Sequence, residues 1–498
     1  MQTIFSRNLE KNLKALQERL HLDVNDDVVV RRFSALGQDC ALLYVEGLSN
    51  GEQMAQHILR PMMNSPLFLS GRSAAEQAMQ NVLTVPEAES GPEIAQALDD
   101  LLRGLCLLLI DGCDQALRID LRSYSRRALS TPQNETVVVG PNDAFNETLR
   151  DNLTILHRRL PSPDFVCSIR KVGTETPGQV ALCYLDGVCP AETVEELQRR
   201  LDGVGLDYVL SAGTLEQLIE DDPYAPLPQM VGTERPDRAV SFLMEGQAVL
   251  LLDGSPRALA LPVSLWHLFH APDDSYMRWQ YGTFMRLLRL FGALVTLLLP
   301  AVFVSLVVYH PITIPMTLLT SIMQSRTNVP INLFEETLLM VAVFALINES
   351  AIRIPGMMGS SLGLVSTLIL GTAAVDAGLV SPLLIIVVAL SGLGSYAMPN
   401  YPLSFAFRLG QVALLLAAGI TGVSGLCYAV VMLLCWVAAM ESLGQPFLAP
   451  GSPRRTHNPD LLFRAPTFRQ RLRAYLSNPE EMKRAYGRMR RFDRRNQE

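Results

Sequence analysis

The chain has 498 residues, 49% of them hydrophobic and 18% charged, with a formal net charge of −7 and a mean hydropathy of +0.21. The residues after Gly451 hold 13 Lys/Arg against 5 Asp/Glu. A basic tail beside an acidic remainder reads as membrane-surface contact more readily than as nucleic-acid binding, with a merely solvated tail as the alternative. The eight cysteines show no C-x-x-C spacing, so zinc or redox ligation is not expected and no metal is assigned; in a reducing cytoplasm they pack as free, small apolar thiols.

In chain order, the first predicted element is a helix, because Leu9, Leu13, Leu16 and Leu20 fall on one amphipathic face. Val28–Phe33 and Cys40–Val45 read as strands joined by a turn containing Gly37. Glu46-Gly47 ends the second strand ahead of a helix over Glu52–Leu59. Thr84–Pro92 is polar and reads as an excursion, and Thr131-Pro-Gln-Asn as a linker. The pattern then repeats. Asn12-Leu13…Leu16…Arg19-Leu20 recurs as Asn152-Leu153…Leu156…Arg159-Leu160, and Ala41–Gly47 as Ala181–Gly187. Gly104–Gly112 matches Gly246–Gly254. Three matches in order and nearly in register predict two copies of one α/β subdomain, which should superpose over Leu9–Leu117 and Leu149–Leu259. In the second copy Asp186-Gly187 precedes a helix over Thr193–Leu201, and Ala239–Met244 and Gln247–Leu252 flank Glu245-Gly246 as a hairpin.

Between Leu290 and Met440 the only charged residues are Arg326, Glu335, Glu336, Glu349, Arg353, Asp376 and Arg408. The uncharged runs Leu290–Ser325, Ile354–Val375, Ala377–Phe407 and Leu409–Met440 are long enough to cross a bilayer, which takes roughly 20 apolar helical residues. Pro300 should kink the first span, and His310-Pro311…Pro315 should end it. The short segments 311–325 and 337–348 are expected to lie at the interface or re-enter, leaving four crossings, or six if they insert or the last run forms a hairpin. No secretory signal opens the sequence. Arg278, Arg286, Arg289 and the basic tail then place both termini in the cytoplasm and make the number of crossings even. The expected layout is a first soluble subdomain over 1–130, a second over 131–280, a helical transmembrane domain over 281–445 and a basic tail over 446–498. The fold class is thus duplicated α/β subdomains followed by an α-helical membrane protein.

Two features of the membrane part carry chemistry. Glu349 and Arg353 sit one turn apart just before Pro355, where charge is costly unless paired or wet; they are either a gating pair or an interfacial salt bridge. Gly356, Gly359, Ser360, Gly363, Ser366, Thr367 and Gly371 form a small, partly polar stripe. Such a stripe serves close helix packing or lines a narrow pore between copies. Gly359-Ser360-Ser361-Leu362-Gly363 is formally G-x-S-x-G, but it lies in an apolar span without the elbow context of a hydrolase. With no phosphate-binding glycine loop either, neither an enzyme nor a cofactor is expected.

Gly140-Pro141-Asn-Asp-Ala-Phe145-Asn-Glu147-Thr-Leu-Arg150-Asp-Asn152-Leu resembles a signature of GerA-family proteins. Thr233-Glu234-Arg235-Pro236-Asp237 is similar to that family's T-E-R-P-D motif, Asp253-Gly254-Ser255-Pro256 to its D-G-T-P, and Glu349-Ser-Ala-Ile-Arg353-Ile-Pro355 to its E-A-G-x-R-x-P. Val139 and Ser350-Ala351 depart from the family pattern. The resemblance implies an A subunit of a spore germinant receptor in the inner spore membrane. It implies a homo-oligomeric, ligand-gated ion channel working with a transporter-like B subunit and a lipoprotein C subunit. A stage V sporulation AF-type paralogue is the alternative within the family. Outside it, a secondary transporter lacks an internal repeat in the membrane part, and an anchored enzyme lacks a catalytic constellation.

Overall fold

The computed structural model describes residues 3–65, 74–123, 131–353, 371–454, 460–473 and 479–484, the side chains of 351–353 excepted. The first unit begins with α1 (Leu9–Leu20), whose four periodic leucines are all buried. The hairpin β1 (Val28–Ala35) and β2 (Gln38–Val45) follows, turning at Leu36-Gly37. A helical segment over 51–64 (α2) and α3 (Ala74–Asn81) lead to β3 (Ala88–Gly91), α4 (Ile94–Leu102), β4 (Cys106–Ile110) and β5 (Ala116–Ile119). The polar stretch read as an excursion thus supplies an edge strand. Its alternation is weak because only β5 flanks it.

The second unit repeats that order. It runs α5 (Leu149–Arg159), β6 (Phe165–Val172), β7 (Gly178–Leu185), α6 (Ala191–Asp202), α7 (Ala212–Ile219), β8 (Val231–Thr233), α8 (Pro236–Met244), β9 (Ala248–Leu252) and β10 (Ala258–Leu261). The sheets have the matching orders β1-β2-β4-β5-β3 and β6-β7-β9-β10-β8, all antiparallel. Small devices repeat as well. Asn12 bonds both the N–H and the carbonyl of Ser6, at 2.8 and 2.6 Å, and Asn152 does the same to Asn146, at 2.8 and 2.7 Å. Asp111 accepts from the Leu9 N–H at the start of α1, and Asp253 from the Leu149 N–H at the start of α5. The Asp-Gly pairs at these offsets therefore satisfy helix N-termini.

One element departs from the sequence reading. Pro236–Met244 is a helix, not the first arm of a hairpin, and Glu245-Gly246 is its C-terminal turn. Pro236 stands in the first turn, where its missing N–H costs nothing. The buried Ala239, Phe242 and Leu243 have helical rather than alternating spacing.

The helical part comprises α9 (Trp279–Tyr309), α10 (Met316–Ser325), α11 (Leu333–Arg353), α12 (Pro382–Tyr396), α13 (Tyr401–Thr421) and α14 (Val423–Ala439). Among the described residues two helices, α9 and α13, are long and apolar enough to cross a membrane. The segment expected to be short between Glu336 and Asn348 extends to the 21 residues of α11, and the run Leu409–Met440 is two helices. They part at Gly422, whose φ of +71° and contact with the Tyr309 ring leave no room for a side chain. Thr296 bonds the Ser391 carbonyl, and Tyr309 the carbonyls of Gly419 and Ile420. Hence α12 runs antiparallel to α9, and α13 parallel to it. The Asn348–Tyr396 bond and the Phe344–Gly392 contact set α11 parallel to α12, so the end of α11 and the start of α12 lie at opposite ends of the bundle.

Candidate functional site

The sequence motifs converge on a joint between the second unit and the base of α9. Thr233 ends β8, accepts the Arg235 N–H at 3.1 Å and donates its hydroxyl to Glu135. Glu234 receives the N–H groups of Gln133 and Asn134, at 3.0 and 3.3 Å, and so pins the linker between the units. Arg235 is wholly buried; it donates to the carbonyls of Glu135 and Pro141, at 3.2 and 2.8 Å, and pairs with Asp237 at 3.1 Å. The Thr233–Asp237 loop thus clasps Gly140-Pro141, and the Phe145 N–H closes the clasp on the Glu234 carbonyl at 2.8 Å. Gly140 lies against the Tyr276 ring at φ +149°, where a Cβ would come within 2.9 Å of it. Glu147 is exposed, and its carbonyl accepts the Gly254 N–H.

Tyr276 carries this loop to the helices. Its hydroxyl bonds Asp237, and burial pushes it up to about 12, helped by the Asp237 charge. Two residues earlier in the chain, fully buried Asp274 takes Arg286 at 3.2 Å and Arg289 at 2.7 Å, both from the first three turns of α9. Arg286 also reaches Asp460 at 2.7 Å, so the tail enters the same cluster. Arg464 bonds the carbonyls of Ser275 and Met277. Desolvation lowers the Arg464 guanidinium, raises the Asp460 carboxyl and pushes nearby His267 down to about 3. An apolar core runs on from there: Phe269, Ala293, Met398, Leu403, Val437 and Phe447 belong to one cluster with the inner face of the second sheet.

The helical part holds a second polar locus. A cavity of about 320 Å³ between α11, α12 and α13 is lined by Asn348, Glu349, Ser395, Tyr401, Arg408 and Gln411 among apolar side chains. Glu349 is exposed there. Gly371 faces open space. The Arg353 side chain, Pro355, Gly356, Gly359, Ser360, Gly363, Ser366 and Thr367 lie outside the described residues. Two polar groups escaped sequence reasoning, which used them only to delimit apolar runs. Arg408 bonds Ser395 Oγ at 3.0 Å, and Glu336, fully buried, pairs with Arg326 at 3.2 Å. A charge that interrupts an apolar run was the available signal.

Between the two α/β units, Asp27, His157 and Cys167 bring ligand atoms within 4.8 Å of one another. The Asp27 carboxylate already serves His157 at 3.1 Å and Arg150 at 3.2 Å. Among the described residues His157 Nδ1 has no hydrogen-bond partner, whereas a metal-bound imidazole normally donates its second N–H. The cluster's ion pairs tie the two units together.

The model of the Bacillus/Clostridium GerA spore germination protein family matches residues 14–475. Spore germination protein B1 of Bacillus subtilis (strain 168) is 33% identical over 95% of this chain and 98% of its own. Spore germination protein GerLA of Bacillus cereus is 31% identical, covering 89% and 91%. Stage V sporulation protein AF of Bacillus subtilis (strain 168) is 28% identical, covering 90% of each. The crystal structure of the N-terminal domain of the A subunit of the Bacillus megaterium spore germinant receptor GerK3 aligns at 26% identity with a TM-score of 0.42, over 53% of this chain and 98% of that one. With the motifs in place and the family match running from the first helix into the tail, the chain belongs to the GerA family of spore germination proteins.

Proposed function

We propose that this chain is the A-type subunit of a spore germinant receptor, and that several copies enclose a gated path for monovalent cations across the inner spore membrane. The observation that carries this reading is the buried Asp274–Arg286–Arg289 cluster. It joins the Thr233–Asp237 loop, through Tyr276, to the longest apolar helix, so a rearrangement in the head has a stiff route to the helices. Charges this deeply buried are held in one geometry by their pairing. Polar side chains inside the apolar bundle support a conducting role, since such groups persist where they serve transport or lie beside water.

In this reading α9, α11, α12, α13 and α14 cross together with the segment 354–375, which gives six crossings and leaves both termini on the core side. The stripe from Gly356 to Gly371 faces the axis of a homo-oligomer, with Glu349, Arg353 and Pro355 at its mouth. A transporter-like B subunit and a lipoprotein C subunit complete the receptor and bring the nutrient signal. Single cysteines along 356–371, probed with a water-soluble thiol reagent in germinating spores, test it. Labelling and altered cation release should follow the helical period of the stripe. Release that proceeds normally when every stripe position is blocked would exclude this helix as the path. Purification without B and C subunits would favour the AF-type accessory role instead.

A further inference from the structure

Among the described residues, the cavity of about 320 Å³ between α11, α12 and α13 gathers hydrogen-bond donors left without acceptors. Arg408 forms no ion pair; its Nε and Nη2 bond Ser395 Oγ at 3.2 and 3.0 Å, and Nη1 bonds none of these residues. Asn348 is only 6% exposed. Its Oδ1 accepts from the Tyr396 hydroxyl, but Nδ2 has no hydrogen-bond partner. Gln411 is only 5% exposed, lines the same cavity, and donates its side-chain amide to none of the described residues. Arg408 and Gln411 stand three residues apart on α13 and so share one face of it. A half-buried cation without a counter-ion and two buried amide donors without acceptors all stand to gain from an oxyanion.

We infer that this cavity binds a small monocarboxylate with a compact apolar body, its carboxylate held by Arg408, Asn348 Nδ2 and Gln411 Nε2. Charge selects the class. One guanidinium without a counter-ion balances one negative charge, and a planar carboxylate fits its fork. A phosphate monoester carries about −1.5 to −2 at neutral pH and would bring surplus charge beside Glu349, which lines the same cavity. A zwitterion is not served either. Glu349 already has a partner of its own, so the cavity offers no open carboxylate to an ammonium. Much of the remaining wall is apolar, with Phe344, Val388, Leu409 and Val412 in it, and covering a hydrocarbon body there is favourable. Size and depth point the same way. The volume lies at the lower end of the roughly 300–1,000 Å³ range of small-molecule sites. Arg408 and Gln411 follow Tyr401, the first residue of α13, by seven and ten positions, which puts them about 10 and 15 Å along the axis. The anion is thereby held inside the bundle, whereas a lipid headgroup would lie at its end. The site needs only the helical bundle itself, whether or not that bundle conducts.

The test is equilibrium dialysis of radiolabelled benzoate against the full-length protein in phosphatidylcholine nanodiscs, with empty nanodiscs as the blank. We expect saturable binding that hexanoate displaces and that benzyl alcohol, benzylamine and phenylalanine do not. Arg408→Gln should weaken it at least tenfold and Gln411→Leu about threefold, the losses of a charged and a neutral hydrogen bond. Arg408→Lys should recover part of the affinity. Thermal unfolding of each variant separates lost binding from lost folding, and Gln411→Leu decides if Arg408→Gln does not fold. No saturable binding, or binding that Arg408→Gln leaves intact in a folded protein, overturns the site. Phenylalanine binding as tightly as benzoate would reveal an acceptor for ammonium and overturn the monocarboxylate class. Displacement by an equal concentration of inorganic phosphate would overturn it too, by making the cavity a general anion site. Loss of benzoate binding in phosphatidylglycerol nanodiscs would give the cavity to a lipid headgroup instead.

Discussion

The two α/β units share a strand order and the same asparagine and aspartate caps, yet they meet the rest of the molecule differently. In the first, the edge strand β3 runs into α4 through Gly91-Pro92-Glu93, and the nearby Arg118 pairs with Asp100 and with exposed Glu89. In the second, the equivalent passage from β8 to α8 is Thr233–Pro236, and its arginine is enclosed by the linker and tied to the base of α9. One fold thus serves as a peripheral module in one copy and as the anchor of the helices in the other. The difference lies in a few residues at one loop, which is where sequence specialisation is expected on a repeated scaffold.

The largest effect should come from Asp274→Asn, which strands buried Arg289 and leaves Arg286 with Asp460 alone. Removing one partner of a buried ion pair costs about 3–5 kcal/mol, so the protein should vanish from spore extracts on immunoblots. Arg118→Gln in the first unit breaks two pairs whose carboxylates, exposed Glu89 and half-buried Asp100, still reach water, and should leave abundance nearly normal. Equal losses would erase the distinction between the copies. Next, Arg235→Ala should lower abundance through the orphaned carbonyls of Glu135 and Pro141. Normal abundance with abolished ion release would assign that loop to gating directly. Asn12→Ala and Asn152→Ala each remove two bonds to backbone, worth about 1–3 kcal/mol together. Comparable drops in urea midpoint would sharpen the equivalence of the units.

Acid should distinguish the units more gently. His267 is held at about 3 against an ordinary 6.5, so the folded state prefers it neutral. That contribution is complete above pH 6.5 and fades as pH falls toward 3. The melting temperature should therefore decline below pH 6.5, and His267→Asn should flatten the decline. The smallest expected change is at Glu220, raised to about 7 by desolvation and by Glu216, Asp222 and Asp221. A raised carboxyl stabilises the fold below its ordinary 4.5 and loses that contribution as pH climbs through 7. Glu220→Gln should raise the melting temperature slightly at pH 8 and leave it unchanged at pH 4.

The periodic leucines of α1, the first hairpin and the repeat offsets were legible because burial imposes a period on the chain. The helix Pro236–Met244 was misread, since Ala-Val-Ser-Phe-Leu-Met fits a short strand as well as two helical turns until Pro236 is given its place in the first turn. The Thr233–Asp237 loop was visible as a motif, but its partners are about a hundred residues upstream, and spacing carries no such pairing. Arg408 and Glu336 were seen only as interruptions of apolar runs, because solvation cost can be read from sequence while the compensating neighbour cannot.

The apolar core of the second unit includes Phe447, fully buried, whose carbonyl receives the Leu265 N–H at 2.9 Å, and Ser442, which bridges Gln229 and Val263. These residues follow the last helix of the bundle. The first unit carries all its own strands and can close while the ribosome is still making the rest, as domains generally do. The second cannot be completed until every helix has been synthesised and the chain has returned to the head. Biogenesis is therefore ordered by topology: the anchor seals only on a helical bundle that has already been made.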